Sequence, residues 1–136
     1  ALTAQAAIAV GLTMMAVGVL WCCTCGSSFP TLLKEGVQAY FMQQLDPAGG
    51  VPLTSTHLLH LATTAGAAAL GLDAEVGDLS VGKRFDAVWI DPAAGQPLDV
   101  GIAYAGSDED ALAKIFALGT PADVSRVWID GELVKG

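Results

Sequence analysis

The sequence predicts an α/β chain in which helices come first and short strands gather toward the end. Apolar residues recur at helical spacing in Pro30 to Leu45, Thr54 to Leu70 and Asp108 to Leu118. Short runs with strand character, Asp86 to Ile90, Arg126 to Ile129 and Glu132 to Val134, sit between turn residues. The last two are joined by Asp130-Gly131, the dipeptide of a tight hairpin. The expected sheet is therefore small and antiparallel or mixed.

The chain opens on a stretch unlike the rest. Ala6 to Cys23 contains no charged residue and is long enough to raise the question of a membrane span. Its flanks are wrong for a span or a signal peptide, because the first basic residue is Lys34. The reading favoured here is a buried helix end plus a parallel strand, since strands covered on both faces read as continuous apolar runs. Cys22, Cys23 and Cys25 are the only cysteines. An odd count in one cluster builds neither a disulfide framework nor a four-cysteine zinc site.

Ser28 can cap the first helix, and Pro30 is tolerated in its first turn. Leu33, Val37, Tyr40, Phe41 and Leu45 then form a broad apolar face. Asp46-Pro47-Ala48-Gly49-Gly50 breaks the helix. Thr54 is a good N-cap for the next one, flanked by Leu53 and Leu58 at the spacing of a hydrophobic staple. Leu58, Leu61, Ala62 and Ala65 make one apolar stripe. Ala67 to Leu70 extends or restarts the helix, and Gly71 can close it in a left-handed cap.

Three groups of residues suggest chemistry, and each has a plainer explanation. His57 and His60 are one turn apart and could share a metal, but no Asp, Glu or Cys lies at ligand spacing, so a polar pair on a docked helix is the better reading. Gly77 to Lys83 has glycines and a lysine, as phosphate loops do. It lacks their G-x-x-x-x-G-K-[ST] spacing and a preceding strand, which leaves a turn. Ser107-Asp108-Glu109-Asp110 reads as a cap and a solvated acidic helix start that suits the helix dipole, rather than a metal site.

A length of 136 residues bounds the chain at one modest core. The net charge of −8, with only six Lys and Arg, argues against nucleic acid, whose affinity rests on basic side chains.

The order of parts resembles the C-terminal end of the amidohydrolase superfamily. The residues that carry the resemblance are Leu53-Thr54, Leu58, Leu61-Ala62-Thr63, Ala69-Leu70-Gly71-Leu72, Gly77, Leu79, Gly82-Lys83, Asp86, Val88 and Asp91, with Phe85 where Ala is usual. The runs SSFPTLLKEGVQAYFMQQL, DALAKIFALG and VSRVWIDGELV resemble the guanine deaminases in particular. This resemblance implies the last strand and helices of a (β/α)8 barrel in residues 1–75, and the C-terminal part of a small β-domain in 76–136. The chain would then be a portion of a longer cytoplasmic, zinc-dependent hydrolase that converts guanine to xanthine and ammonia. In that family the His-x-His ligands, the proton-shuttling Glu and the guanine-contacting side chains lie upstream of these segments, so no catalytic, metal or substrate residue is assigned here.

One family ligand should fall inside the chain. The eighth barrel strand ends in V-G-L-G-T-D-V-G-G-G-T-S-F, whose Asp binds the metal. Ile8-Ala9-Val10-Gly11-Leu12 resembles the strand, and Gly26-Ser27-Ser28-Phe29 the end of its loop. Aligned from the front, Met15 takes the Asp position; aligned from the back, Cys22 does. Neither is a carboxylate. A thiolate at Cys22 could ligate zinc, but a lone cysteine is more often a small buried hydrophobe. A local shift of reading frame would produce such a segment between two matching flanks. The chain alone is thus expected to be inactive. The alternatives are a non-catalytic truncated homologue acting as an assembly domain, or another aminohydrolase of the superfamily.

Two structural expectations follow from the resemblance. One sheet edge and an apolar face carrying Val88, Ile90 or Trp128 should be poorly covered, a liability for self-association. The helices should bury their Leu and Phe stripes incompletely. With the Ala6 to Cys23 run read as barrel core, the expressed protein should be recovered in the soluble or aggregated fraction. Retention in membranes after carbonate washing, with detergent needed for release, would show a spanning segment instead.

Overall fold

The computed structural model describes residues 29–45 and 50–136. The readings placed on Ala6 to Cys23, Ile8 to Leu12, Met15, Cys22 and the Ser28 cap lie outside the described residues. In chain order the elements are α1 (Phe29–Gln44), α2 (Ser55–Ala62), α3 (Thr64–Ala69), β1 (Ala87–Ile90), α4 (Pro97–Ala103), α5 (Asp108–Leu118), a 3-10 turn (Pro121–Asp123), β2 (Val124–Ile129) and β3 (Glu132–Lys135). Among the described residues, no helix is long and apolar enough to cross a membrane.

The helices meet at one small cluster. Leu33 of α1, Leu58 of α2 and Phe116 of α5 are buried against one another, with Val37, Leu53, Leu112 and Ile115 packed partly around them. Leu53 and Leu58 thus close the hydrophobic staple expected on either side of Thr54. The same helix start carries a capping box: the His57 amide donates to Thr54 Oγ1 at 3.4 Å, and the Thr54 amide donates to His57 Nδ1 at 3.1 Å. One residue on, Ser55 Oγ donates to the Glu109 carbonyl at 2.9 Å and ties the first turn of α2 to the first turn of α5. Gly119, just past α5, is buried, and a Cβ there would meet the Ile115 carbonyl oxygen at 2.5 Å and Leu33 Cδ1 at 2.8 Å.

The stretch Thr54 to Leu70 forms two helices rather than one. Thr63 leaves the helical conformation (φ −121°, ψ −96°), and its hydroxyl donates to the Leu59 carbonyl at 2.7 Å. Two adjacent β-branched residues, one bonding back to its own helix, favour a bend at this point. Helix α3 restarts at Thr64 and ends as the sequence suggests. Gly71 takes φ +70°, its amide donates to the Ala68 carbonyl and that of Leu72 to the Ala67 carbonyl, a complete Schellman motif.

Helix α4 is an element the sequence reading lacked. Pro97 opens it, Leu98 is almost wholly buried, and α4 packs against α5. Helix α5 has the bounds read from the sequence, with Ser107 Oγ accepting from the Asp110 amide.

The sheet has the order β1-β2-β3 and is antiparallel throughout. Ala87 pairs with Trp128 and Val88 with Val127, while Trp128 pairs with Leu133. Asp130 (φ +53°) and Gly131 (φ +81°) both lie in the left-handed region, which defines a type I′ turn and matches the twist of its strands. Beyond the sheet's ends, the Asp91 amide donates to the Asp123 carbonyl.

Burial is uneven: Phe116 of α5 is buried, against the expectation for the Phe stripe, while other apolar side chains are not. On α1, Leu33 is buried and Val37 half-buried, but Phe41 is 57% exposed and Leu45 74%. On the sheet, Val88 (39%) and Trp89 (59%) are exposed, while Ile90 and Trp128 are half-buried. Both outer strands present free edges among the described residues.

Two glycines give a graded test of the turn before β1. Gly77 (φ +103°) lies against α3, where a Cβ would approach that of Ala67 to 2.7 Å; Gly82 (φ +99°) has open space around it. Gly82→Ala should cost about 1 kcal/mol for the left-handed backbone alone, and Gly77→Ala about 2–3 kcal/mol because it adds a clash. Urea midpoints measure both, and equal losses would show that the α3 contact is not tight.

Candidate functional site

The candidate site residues are dispersed, and each is held by a local bond. His57 Nδ1 is the acceptor in the α2 capping box, and His60 Nδ1 lies 2.6 Å from Thr64 Oγ1 across the break between α2 and α3. Both rings are exposed. The pair therefore stitches helix ends, one at each side of α2. Among the described residues, no group of three His, Cys, Asp or Glu side chains is placed to hold a metal ion.

The loop from Gly77 to Lys83 is organised by a carboxylate rather than open to a phosphate. Asp78 Oδ1 accepts from the Ser80 amide at 2.9 Å, and Oδ2 accepts from Lys83 Nζ at 2.7 Å. The lysine also reaches the Val76 carbonyl at 3.4 Å. These bonds, chiefly those from Lys83 and then Ser80, lower the Asp78 pKa to about 2. The lysine that would meet a phosphate is already occupied by an internal anion.

The acidic helix start behaves in the same way. Asp110 Oδ2 accepts from the Gly106 amide at 2.9 Å and from Lys114 Nζ at 2.9 Å, and these two bonds, in that order, hold its pKa below the ordinary value. Asp108 and Glu109 are exposed on the first turn of α5.

A polar clasp not foreseen from the sequence joins the loop before β1 to the hairpin turn. Asp86 Oδ1 accepts from the Asp130 amide at 2.7 Å, the Gly131 amide donates to the Phe85 carbonyl at 2.9 Å, and Arg84 Nε donates to Asp130 Oδ1 at 3.1 Å. Phe85, where the resemblance leads one to expect Ala, packs edge-on against Trp128 with ring centroids 5.7 Å apart. Asp86 Oδ1 and the Phe85 carbonyl supply the acceptors for the turn's two amides, while Arg84 donates to the Asp130 carboxylate.

Between the helices and the sheet lies an apolar groove of about 560 Å³, lined by Leu32 of α1, Leu59 of α2, Leu70, Leu79 and Val88 of β1, among others. Its lining includes two acidic residues, Asp78 and Asp86, both of which accept internal hydrogen bonds. It offers shape and apolar surface, and among the described residues its lining holds no free base or nucleophile.

These elements, in this order, are a portion of a known fold. The family model described as "Amidohydrolase family" matches residues 5–134, and the chain belongs to the amidohydrolase family. Within it, relatives of this chain include guanine deaminases. The chain is 58% identical over 109 residues to "Probable guanine deaminase" of Deinococcus radiodurans, which covers 80% of this chain and 25% of that protein. It is 38% identical over 85 residues to the human guanine deaminase, covering 60% of this chain and 19% of that one. The solved structure of Escherichia coli guanine deaminase superimposes with a TM-score of 0.69 at 32% identity, over 76% of this chain and 23% of that one. The chain spans about a quarter of the length of these relatives or less.

The Asp78–Lys83 pair predicts a pH response. Because folding lowers the Asp78 pKa, the pair contributes stability above the ordinary carboxylate value of 3.8, and that contribution is lost as pH falls through about 2. Carboxyl-carbon NMR should show Asp78 titrating near 2, and Lys83→Met should move it back toward 3.8. An unchanged titration in the variant would show that the ion pair does not form in solution.

Proposed function

We propose that this chain is the C-terminal portion of a zinc-dependent guanine deaminase, an enzyme of purine catabolism that hydrolyses guanine to xanthine and ammonia. The observation that carries this reading is the 58% identity, over four-fifths of the chain, to the Deinococcus radiodurans protein so named. The fold likeness to the E. coli enzyme supports it at a second level. On this reading residues 1–75 belong to the end of the barrel and 76–136 to the small β-domain, the whole enzyme is cytoplasmic, and its substrate is guanine.

The chain's own contribution is then structural. A bound zinc would supply an activated water, but the described residues do not fit a metal: both histidines use Nδ1 to close helix ends, and no third ligand stands beside them. What the chain supplies is a docked helix layer, the Leu33–Leu58–Phe116 contact that fixes it, and a sheet whose register is set by the clasp at Asp130-Gly131. The exposed Leu and Phe side chains of α1 and the uncovered Val88 face are where the remainder of the polypeptide would pack.

A second reading, a non-catalytic assembly domain, is favoured by one observation: Met15 or Cys22, neither a carboxylate, stands where the resemblance places the metal-binding Asp at the end of the eighth strand. The two readings separate in chimeras. Residues 29–136, grafted onto the Deinococcus radiodurans protein in place of the matching segment, should preserve guanine turnover measured as xanthine formation. Grafting residues 1–136 should abolish it through the unmatched segment. A folded 29–136 chimera without turnover would overturn the guanine deaminase reading.

The chain by itself should neither deaminate guanine nor retain stoichiometric zinc. Xanthine release by the purified, metal-loaded 136-residue protein, above the level of a protein-free control, would show that a complete site assembles within it.

A further inference from the structure

We draw no further inference here: the strongest candidate, the apolar groove between Leu32 of α1, the α2–α3 pair and Val88 on the free edge of β1, is an unpartnered face, and nothing in the structure shows what covers it.

Discussion

The contact of Leu33, Leu58 and Phe116 is what makes these helices a layer. The three side chains come from α1, α2 and α5, which lie far apart in the sequence, and each is about 4% exposed. Truncating a buried leucine or phenylalanine in such a site typically costs about 2–5 kcal/mol, and here each residue serves two neighbours at once. Other features are arranged to protect the contact. The Thr54–His57 capping box fixes where α2 begins, Ser55 bonds to the Glu109 carbonyl, and Gly119 leaves room for the end of Leu33. None of these polar groups has to act chemically for its presence to be explained.

Charge is managed locally in a chain that carries a strong excess of acid. Lys83 is spent on Asp78, Lys114 on Asp110 and Arg84 on Asp130 and Glu75. These pairs are partly or largely exposed, so each is worth little as a simple ion pair. Their effect is on geometry: they hold a loop, a helix start and a hairpin turn in single conformations. Apolar exposure is widespread beside these pairs, from Phe41 and Leu45 on α1 through Leu79 and Val81 in the loop before β1 to Tyr104 after α4 and Leu133 on β3.

The elements legible in the sequence were those with chemical punctuation at both ends. Helix α5 has Ser107 before it, three acids in its first turn and Gly119-Thr120-Pro121 after it, and its bounds agree with the reading. The Asp130-Gly131 hairpin was equally plain. Helix α4 was not, because Pro97 and Gly101 make it look like a loop, and its formation depends on burying Leu98 beside α5, a tertiary contact. The split at Thr63 was hidden for a similar reason: a hydroxyl bonding back to Leu59 cannot be seen in an apolar periodicity that runs on unbroken. At the level of the site, turn-forming and capping roles were visible at Gly77 to Lys83 and at Thr54. The specific engagement of His60 with Thr64, and of Asp86 with the hairpin, depended on geometry between elements.

The clasp between Asp86 and the Asp130 amide also bears on how β1 finds its register. The β2–β3 hairpin is local: two central residues with left-handed backbones can close it early, at small entropic cost. Strand β1 is different, because α4, α5 and the 3-10 turn lie between it and β2. Pairing it early would require a long disordered loop to be closed before the intervening helices had repaid the cost. The hairpin turn presents Asp130 and Gly131 amides that only Asp86 and Phe85 satisfy, so a β1 strand arriving late meets a preformed receptor and enters in one register. A slip by one residue would leave those donors unsatisfied and turn Val88 to the opposite face. The bond thus selects the register of β1 in the finished sheet.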